Sequence, residues 1–196
     1  VVFSKELAVM VARSIKGEVI SYPTVQTIHK DNICDTVIAP APIVTKQYVK
    51  AQKLARKVVE NLEGSGVFGV EMFLDKKNNI LVNEIAPRVH NSGHYTIEGS
   101  VTSQFEQHIR TITGLPFGST DLTSKVIVMK NILGEKNGKG TPVGIEKALS
   151  IHGVSIHIYG KRESRPNRKM GHITAVGDDV KKCLKKVNKA RKMITI

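Results

Sequence analysis

Apolar and polar residues alternate along two runs near the start of the chain, residues 4–15 and 17–25. Alternation with a period of two is typical of strands that turn one face toward a core. Lys16 and Gly17 separate the two runs and suit a tight turn. The pattern therefore predicts a β-hairpin in this part of the chain.

From Thr45 to Leu62 the apolar positions recur at intervals of three and four, which is the spacing of an amphipathic helix. We expect Thr45 to cap the start of this helix and Gly64 to end it. The residues of the apolar stripe are Tyr48, Ala51, Ala55, Val58, Val59 and Leu62.

Two further apolar runs, residues 67–74 and 80–85, flank a polar segment and predict a second hairpin. Within it, Glu71 and Glu84 lie at equal distances from a turn centred between residues 77 and 78. A four-residue connection would make the two glutamates direct cross-strand partners, with Cβ atoms about 5 Å apart. A slip of one residue would instead turn Glu84 to the opposite face of the sheet, and both registers stay open at this point.

Two carboxylates that face each other at this distance repel unless a cation lies between them. Mg²⁺ commonly binds through one or two carboxylates together with the phosphates of a substrate. The paired register of Glu71 and Glu84 therefore predicts a site for a hard divalent ion on the second hairpin.

Ser103 and Glu106 have the spacing of a capping box and predict the start of another helix. Residues 115–124 are rich in Pro, Gly, Ser and Thr, so we place a domain boundary there and predict domains 1–117 and 118–196. Beyond the boundary we expect strands near 126–133, 154–159 and 172–176, a short helix at 145–151, and a last helix that starts at Asp178 or Asp179.

Composition narrows the class of protein. The chain has 196 residues, of which 40% are hydrophobic and 24% charged, so it can bury a core. No apolar run approaches the roughly 20 residues that a membrane-spanning helix needs. Cys34 and Cys183 lie far apart and lack a metal-binding spacing, so we expect reduced thiols, no zinc site and a cytoplasmic location. His90 and His94 are four residues apart, but neighbouring Pro and Gly argue against the helix that such a zinc pair requires.

Positive charge is concentrated near the end of the chain, where residues 161–192 hold 12 Lys and Arg against 3 Asp and Glu, net +9 of the chain's +13. The cations of residues 161–169 suit a small phosphate ligand, whereas the lysines of the last helix are typical of a solvated face. A nucleic-acid surface is the alternative. The 5% aromatic content and the absence of an RNA- or DNA-binding motif argue against it.

Residues 83–96 read NEIAPRVHNSGHYT and place a carboxylate, an arginine, two histidines and two amides in fourteen positions. Such a density of polar groups is costly to bury in a core. The run follows the apolar residues 80–82, so we expect a strand that delivers Glu84 to an anion and metal site and then opens into a polar loop.

Four ordered segments resemble one enzyme family: NEIAPRVHNSGHYT at 83–96, TSQFEQHIR at 102–110, MKNILG at 129–134 and YGKRESRPNRKMGHI at 159–173. The family is 5-(carboxyamino)imidazole ribonucleotide synthetase, an ATP-grasp ligase of purine synthesis. The resemblance implies a mixed α/β (α+β) fold, with an antiparallel ATP-grasp sheet, helices on one face of it, and then a small barrel-like carboxy-terminal domain of the rudiment single hybrid motif type. It covers only the second half of such an enzyme, and the chain begins at Val1, so we expect a fragment that does not turn over ATP by itself.

The resemblance implies ATP and Mg²⁺ as cofactors, with Mn²⁺ as a possible substitute. Glu71 and Glu84 match the family's magnesium carboxylates, in agreement with the hairpin argument. Asn83 matches a residue at the ATP phosphates. Glu6 matches an acid near the ribose of the nucleotide, and His29 matches another nucleotide contact.

The same comparison implies that Arg88, His90 and Asn91 hold bicarbonate and the carboxyphosphate that is made from it. Arginine presents a planar fork that suits a small anion. Histidine titrates near neutral pH, so His90 is a candidate for moving a proton. The alternative for His90 is a hydrogen-bonding loop residue without a catalytic role.

Lys161 and Arg168 match the pair that grips the phosphate of aminoimidazole ribonucleotide, with Lys169 adjacent. Asn167 stands where the family usually has glycine, and we expect it to adopt the same left-handed backbone. The implied partners are aminoimidazole ribonucleotide and bicarbonate as substrates, together with a second copy of the enzyme in a homodimer. A sister ATP-grasp ligase, of the formate-dependent glycinamide ribonucleotide transformylase or biotin carboxylase type, is the alternative activity.

Overall fold

The computed structural model describes residues 2–196 and divides into two compact units. The first unit comprises the chain up to Ile28 together with Ile38–Thr123, and the second comprises His29–Val37 together with Ser124–Ile196. The division after Thr123 lies within the Pro- and Gly-rich segment, a few residues beyond the boundary that we placed at 117. The assignment of His29–Val37 to the second unit had no counterpart in the sequence analysis.

The first unit is built on an antiparallel sheet. Its strands lie in the order β6, β5, β1, β3, and β2 pairs with the far end of β1. The elements in chain order are β1 (Phe3–Arg13), β2 (Val19–Ser21), β3 (Val25–Lys30), β4 (Ile33–Ala39), α1 (Thr45–Glu60), β5 (Gly66–Asp75), β6 (Ile80–Ala86), a 3₁₀ turn (Asn91–Gly93), α2 (Thr96–Gly99) and α3 (Gln104–Ile112). Both predicted hairpins are present, because β1 pairs with β2 and β5 pairs with β6.

Helices cover both faces of this sheet. Alternate residues of β1, among them Leu7 and Val9, form a core cluster with α1 residues such as Ala55. The intervening residue Met10 points the other way, toward Gly93 and the α3 residue Gln104. The mixed α/β class with an antiparallel sheet is confirmed, but the expectation that helices lie on one face is wrong, since strands that are apolar on both sides need a cover on each.

The starts of the two longer helices differ. Ser103 caps α3 as predicted, with its Oγ accepting a hydrogen bond from the Glu106 backbone N–H at 3.2 Å. Thr45 is not a cap, because Val44 occupies the capping position of α1 and makes no side-chain hydrogen bond there. The predicted cap of α1 is therefore wrong by one residue, although the helix itself is confirmed.

The second unit has its own antiparallel strands, in the order β4, β7, β11, β9, and a separate ribbon of β8 and β10. We predicted a barrel-like domain, and the structure has an open sheet with this ribbon beside it. The elements are β7 (Val126–Leu133), β8 (Gly138–Lys139), α4 (Ile145–Leu149), β9 (Val154–Ile158), β10 (Glu163–Ser164), β11 (Lys169–Gly177) and α5 (Val180–Met193). Asp179 caps α5, whose apolar stripe packs on β7 and β11.

The structure also bears on the absence of membrane-spanning helices and on the state of the two cysteines. None of the helices formed by residues 2–196 is long and apolar enough to cross a membrane. Neither Cys34 nor Cys183 takes part in a disulfide bond, and both are buried.

Candidate active site

The hairpin of β5 and β6 makes Glu71 and Glu84 direct register partners. Side chains at directly opposed positions of an antiparallel pair lie on the same face, with Cβ atoms about 5 Å apart. The predicted pairing is therefore confirmed, and the alternative register, in which Glu84 faces the other way, does not occur.

The route to this pairing differs from the one we predicted. Asp75 donates its N–H to the carbonyl of Asn79 at 2.9 Å, so the connection has three residues, 76–78, rather than four. Asn78 takes the left-handed backbone that such a turn requires, with φ of 66°. Counted from this turn alone, the residue opposite Glu71 would be Asn83.

A β-bulge restores the register. Met72 pairs with Val82 and Glu71 pairs with Glu84, so Asn83 is an extra residue on β6. Bulges often lie next to active sites, where they re-aim side chains. Here the bulge turns Glu84 toward the face that carries Glu71.

A third carboxylate lies on this face. Ala8 of β1 is the register partner of Glu71. Glu6 is two residues from Ala8 on the same strand, so its side chain shares the face. Glu84 is exposed, whereas Glu6 and Glu71 are partly buried.

His90 lies against Glu71. Its Nδ1 is 2.8 Å from the Ser92 Oγ and 3.7 Å from the Glu71 Oε1. The backbone of Gly69 passes directly beneath His90, because a Cβ built on Gly69 would lie 2.7 Å from the His90 Cβ. Glycine on β5 therefore allows this histidine to approach the sheet.

The remaining predicted residues of the first unit lie at the edge of this group. Arg88 is exposed, and its Nη1 donates to the Val89 carbonyl at 3.1 Å. Asn91 begins the 3₁₀ turn, and Asn83 is exposed at the bulge. The structure thus brings Glu71, Glu84 and His90 together on one sheet face and places Arg88 just beyond the end of β6.

The donors on this face suit a hard cation. Carboxylate oxygens are the ligands that Mg²⁺ and Mn²⁺ prefer, and no thiol is part of the group. Two facing carboxylates repel unless a positive charge lies near them. The donor set of Glu71 and Glu84 therefore fits a divalent ion that binds phosphate as its other ligand.

A second predicted group lies in the second unit, around the turn before β11. Lys161 donates from Nζ to the Lys169 carbonyl at 2.6 Å, and Arg168 donates from Nη1 to the Glu163 carbonyl at 2.7 Å. Burial lowers the pKa of Lys161, and the positive charges of Arg168, Lys169 and Arg165 lower it further. An anion at this place would offset the repulsion among these cations.

The turn that carries these cations is held by its neighbours. Asn167 has φ of 68°, which confirms the left-handed backbone that we expected of it. The Asn167 N–H donates to the Gly134 carbonyl at 2.9 Å, and the Gly134 N–H donates to the Arg168 carbonyl at 2.8 Å. A Cβ at Gly134 would lie 2.4 Å from the Arg165 carbonyl oxygen, so only glycine fits. The MKNILG segment therefore packs its last residue against the basic turn.

The structure adds residues that sequence reasoning missed. The Tyr159 ring lies 5.7 Å from the Lys161 Nζ, and the Tyr159 hydroxyl is 2.9 Å from the His172 Nδ1. Burial raises the pKa of Tyr159. His29, which we predicted as a nucleotide contact, lies near the end of β3 in the second unit. Nothing in the spacing of these residues marks them as neighbours, because long-range strand pairing brings them together.

Comparisons with known proteins identify the family of the chain. Residues 1–105 match the ATP-grasp domain family, and residues 127–186 match the family described as phosphoribosylaminoimidazole carboxylase C-terminal domain. The first match spans more than half of the chain, so the chain belongs to the ATP-grasp family. The resemblance to 5-(carboxyamino)imidazole ribonucleotide synthetases that the four segments indicated is confirmed as well.

Two curated relatives illustrate the similarity. The chain is 49% identical over 191 residues to phosphoribosylaminoimidazole carboxylase of Saccharomyces cerevisiae, which covers 95% of this chain and 33% of that protein. It is 45% identical over 172 residues to N5-carboxyaminoimidazole ribonucleotide synthase of Bacillus subtilis, which covers 88% of this chain and 44% of that protein. The chain thus spans less than half the length of these relatives.

Two solved structures share the fold. N5-carboxyaminoimidazole ribonucleotide synthetase from Thermotoga maritima superposes with a TM-score of 0.90 at 56% identity, over 98% of this chain and 52% of that one. The synthase from Aspergillus clavatus, determined in complex with ADP and 5-aminoimidazole ribonucleotide, superposes with a TM-score of 0.88 at 44% identity, over 97% of this chain and 51% of that one.

Proposed function

We propose that the protein carrying this chain uses ATP to carboxylate 5-aminoimidazole ribonucleotide with bicarbonate, forming 5-(carboxyamino)imidazole ribonucleotide in purine biosynthesis. The observation that carries this proposal is the facing pair of Glu71 and Glu84 beside His90, in a chain of the ATP-grasp family. The names of the relatives from Bacillus subtilis and Thermotoga maritima, and the ligands of the relative from Aspergillus clavatus, support the choice of substrates.

In this proposal Glu71 and Glu84 would hold Mg²⁺, or Mn²⁺ in its place, together with the ATP phosphates. The ion would supply positive charge that offsets the charge on the transferred phosphoryl group. Asn83 stands beside the pair at the bulge and would contact the phosphates. Glu6, on the same face, and His29 would contact the rest of the nucleotide.

Bicarbonate is a poor electrophile and needs activation. In the first step its oxygen attacks the γ-phosphorus of ATP, the bond from that phosphorus to the bridging oxygen breaks, and ADP leaves with the electron pair. The product is carboxyphosphate. The guanidinium of Arg88 would hold the bicarbonate anion as a planar fork, and the Asn91 amide would orient it.

Carboxyphosphate then breaks down to carbon dioxide and phosphate beside the amine of the ribonucleotide. The amine adds to the carbon dioxide and must lose a proton as the new C–N bond forms. His90 would help to move this proton, since imidazole titrates near neutral pH. Exclusion of water from the site would protect the reactive intermediate.

The phosphate of the ribonucleotide would bind to the basic turn of the second unit. Lys161, Arg168 and Lys169 would supply its cationic donors. Burial lowers the pKa of Lys161, and the positive charges of Arg168, Lys169 and Arg165 lower it further. Two cysteines that form no disulfide bond suit a reducing compartment such as the cytoplasm, which we propose as its location. We also propose that the enzyme is a homodimer at its full natural length.

The first experiment measures ATP cleavage by the protein at its full natural length, with and without aminoimidazole ribonucleotide and bicarbonate. Glu84→Gln keeps the size of the side chain but removes its charge, so we expect a drop in kcat/KM of about 100-fold or more. Glu63→Gln, at an exposed residue between α1 and β5, is the matched control and should change little. Equal activity of the two variants would contradict the metal role of Glu84.

The second experiment tests the choice of substrate. Lys161→Met should raise KM for aminoimidazole ribonucleotide about 10-fold or more, because a charge-assisted hydrogen bond to phosphate is lost. Lys185→Met, on the exposed side of α5, should leave KM unchanged. ATP cleavage that depends on glycinamide ribonucleotide and formate, or on biotin, in place of aminoimidazole ribonucleotide would establish the sister activity and overturn our choice.

A further inference from the structure

Helix α3 carries two fully buried glutamines one turn apart, Gln104 and Gln107. Gln107 accepts the Gly118 N–H at 2.9 Å and donates to the Gly118 carbonyl at 3.0 Å. Gln104 accepts the His90 N–H at 2.9 Å and donates to the His90 carbonyl at 2.8 Å. Each amide thus bonds to both polar groups of one residue, as a neighbouring strand would.

Gln104 makes one bond more than Gln107. The His90 N–H must face the amide oxygen, so the orientation of the Gln104 amide is determined. One hydrogen of its Nε2 goes to the His90 carbonyl, and Nε2 also lies 2.9 Å from the His94 Nδ1. That imidazole nitrogen must therefore accept, which places the proton of neutral His94 on Nε2.

Hydrogen bonds and close packing hold both the backbone and the side-chain amide of Gln104 in place. Its backbone N–H donates to the Thr96 Oγ1 at 2.9 Å, and that hydroxyl donates to the Gly93 carbonyl at 2.6 Å. A Cβ at Gly93 would lie 2.4 Å from the Gln104 Oε1. A buried amide whose donors and acceptor are all engaged makes the loop around it rigid.

We propose that Gln104 is a positioning residue for the carboxylation reaction, and this inference rests on the function proposed above. It fixes the backbone of residues 90–94, while Gly69 and Ser92 fix the His90 side chain against Glu71. Gln104 is fully buried, so it would act through His90 rather than touch a substrate. Its twin Gln107 makes the same bonds to a loop that carries none of the predicted site residues.

The experiment compares Gln104→Glu with Gln107→Glu in the protein at its full natural length. A carboxylate keeps the acceptor for the backbone N–H but has no hydrogen to donate, and it repels the carbonyl beside it. Both variants should lower Tm by similar amounts. Only Gln104→Glu should lower kcat, by about 10- to 100-fold, with KM for ATP within about twofold of the unchanged protein, because small misplacement of a reacting group is costly.

An equal loss of kcat in both variants would overturn the positioning role, since a general loss of rigidity would then explain it. The positioning role would also be overturned if a stabilising additive restored both the Tm and the kcat of the Gln104→Glu variant. Where a variant does not fold, the tautomer of His94 in the unchanged protein decides the matter. ¹⁵N NMR should show the proton on Nε2, and a proton on Nδ1 at neutral pH would overturn the arrangement.

The two proposals fail in different ways. The proposed function would be refuted if ATP cleavage by the unchanged protein did not depend on aminoimidazole ribonucleotide. The positioning of residues 90–94 by Gln104 is decided separately, because the His94 tautomer and its change to an Nδ1-protonated form in Gln104→Glu are read without any turnover.

Discussion

At the scale of single residues, the site depends on one missing side chain. His90 approaches Glu71 only because Gly69 has no Cβ beneath it. The backbone of Gly69 is not left-handed, so its conformation alone does not require glycine. Glycine at position 69 lets the His90 side chain approach the backbone of β5 closely. A substitution at this position therefore tests the placement of His90.

Gly69→Ala should push His90 away from the sheet, because the new Cβ would lie 2.7 Å from the His90 Cβ and 2.9 Å from its Cγ. We expect kcat to fall about 10-fold or more and stability to fall by about 1–3 kcal/mol. Steady-state kinetics and a denaturant titration measure the two effects. Gly138→Ala is the control, because nothing lies within 4 Å of a Cβ there. Unchanged kinetics in Gly69→Ala would show that His90 does not need this position.

A second residue pair concerns stability rather than catalysis. Lys130 donates to the Asp35 Oδ2 at 2.6 Å, and their side chains are only 9% and 13% exposed. Burial acts to raise the pKa of Asp35, but the hydrogen bond and charge of Lys130 more than offset it, so this pKa lies below its ordinary value of 3.8. Lys30 lies 3.8 Å from the same oxygen but is 66% exposed, so water screens it.

Asp35→Asn should lower the free energy of unfolding by about 3 kcal/mol at neutral pH, since it leaves the Lys130 charge buried without its partner. Lys30→Met should cost less than about 1 kcal/mol. A carboxyl whose pKa is lower in the folded state stabilises above its unfolded pKa and loses this contribution as pH falls through the folded pKa. Urea titrations should therefore show the gap between Asp35→Asn and the unchanged protein narrowing below about pH 4. A gap that stays constant down to pH 2 would contradict the pairing.

Sequence reasoning identified the site residues whose charge or spacing forms a recognisable pattern and missed those whose contacts depend on the fold. The pairing of Glu71 and Glu84 was predicted by counting from a four-residue turn, and the count gave the right pair only because the shorter turn and the bulge offset each other. Gln104 was not predicted, because an uncharged side chain that bonds to a backbone fourteen residues away leaves no periodic pattern. The Ser103 cap beside it was predictable, since capping acts within one turn of helix.

At the scale of elements, the hairpin of β5 and β6 shows two deviations that cancel. The turn is one residue shorter than we predicted, and the bulge at Asn83 adds one residue to β6. The polar segment between the strands was readable as a turn, but its length was not, because several turn types accept the same residues. The bulge left no mark in the alternation of the apolar residues of β6.

Deletion of both Val82 and Asn83 should remove the bulge and let the register of the three-residue turn continue, which would place Glu84 opposite Met72 and turn it away from Glu71. We expect Mn²⁺ binding in the presence of ADP, measured by electron paramagnetic resonance, to weaken about 10-fold or more. Deletion of Asn83 alone should keep Glu84 opposite Glu71, because Glu84 then follows Val82 directly, so binding should weaken less than in the double deletion. Equal metal affinity in the double deletion and the unchanged protein would refute the metal role of the facing pair.

At the scale of the whole molecule, the sequence indicated two domains and the structure has two units, but one unit is not continuous in the chain. Strand β4 is next to β7, although residues 40–125 lie between them in sequence. Composition marks linkers well and gives no sign of a strand that joins a distant sheet. We also did not predict that helices cover both faces of the first sheet. Residues 4–15 were interpreted as a strand with one apolar face, whereas β1 is apolar on both sides.

Residues 124–196 expressed by themselves should not fold cooperatively. They lack β4, which lies beside β7, and they leave Lys130 without Asp35 and the Asn131 amide without the Cys34 carbonyl that it donates to at 2.8 Å. A ¹H–¹⁵N spectrum should show poor dispersion. Addition of residues 29–37 through a flexible linker should restore dispersed peaks, and a well-dispersed spectrum without them would contradict this expectation.

The interrupted second unit also bears on how such proteins can be inherited. A genetic crossover near position 123 between two diverged parents would combine a β4 from one with a β7 from the other. Offspring would keep the buried lysine paired only where the parent that supplied β4 had an acid at position 35. Recombination, natural or in the laboratory, should therefore tend to keep β4 and β7 from the same parent. Crossovers near position 123 should be rare among folded offspring.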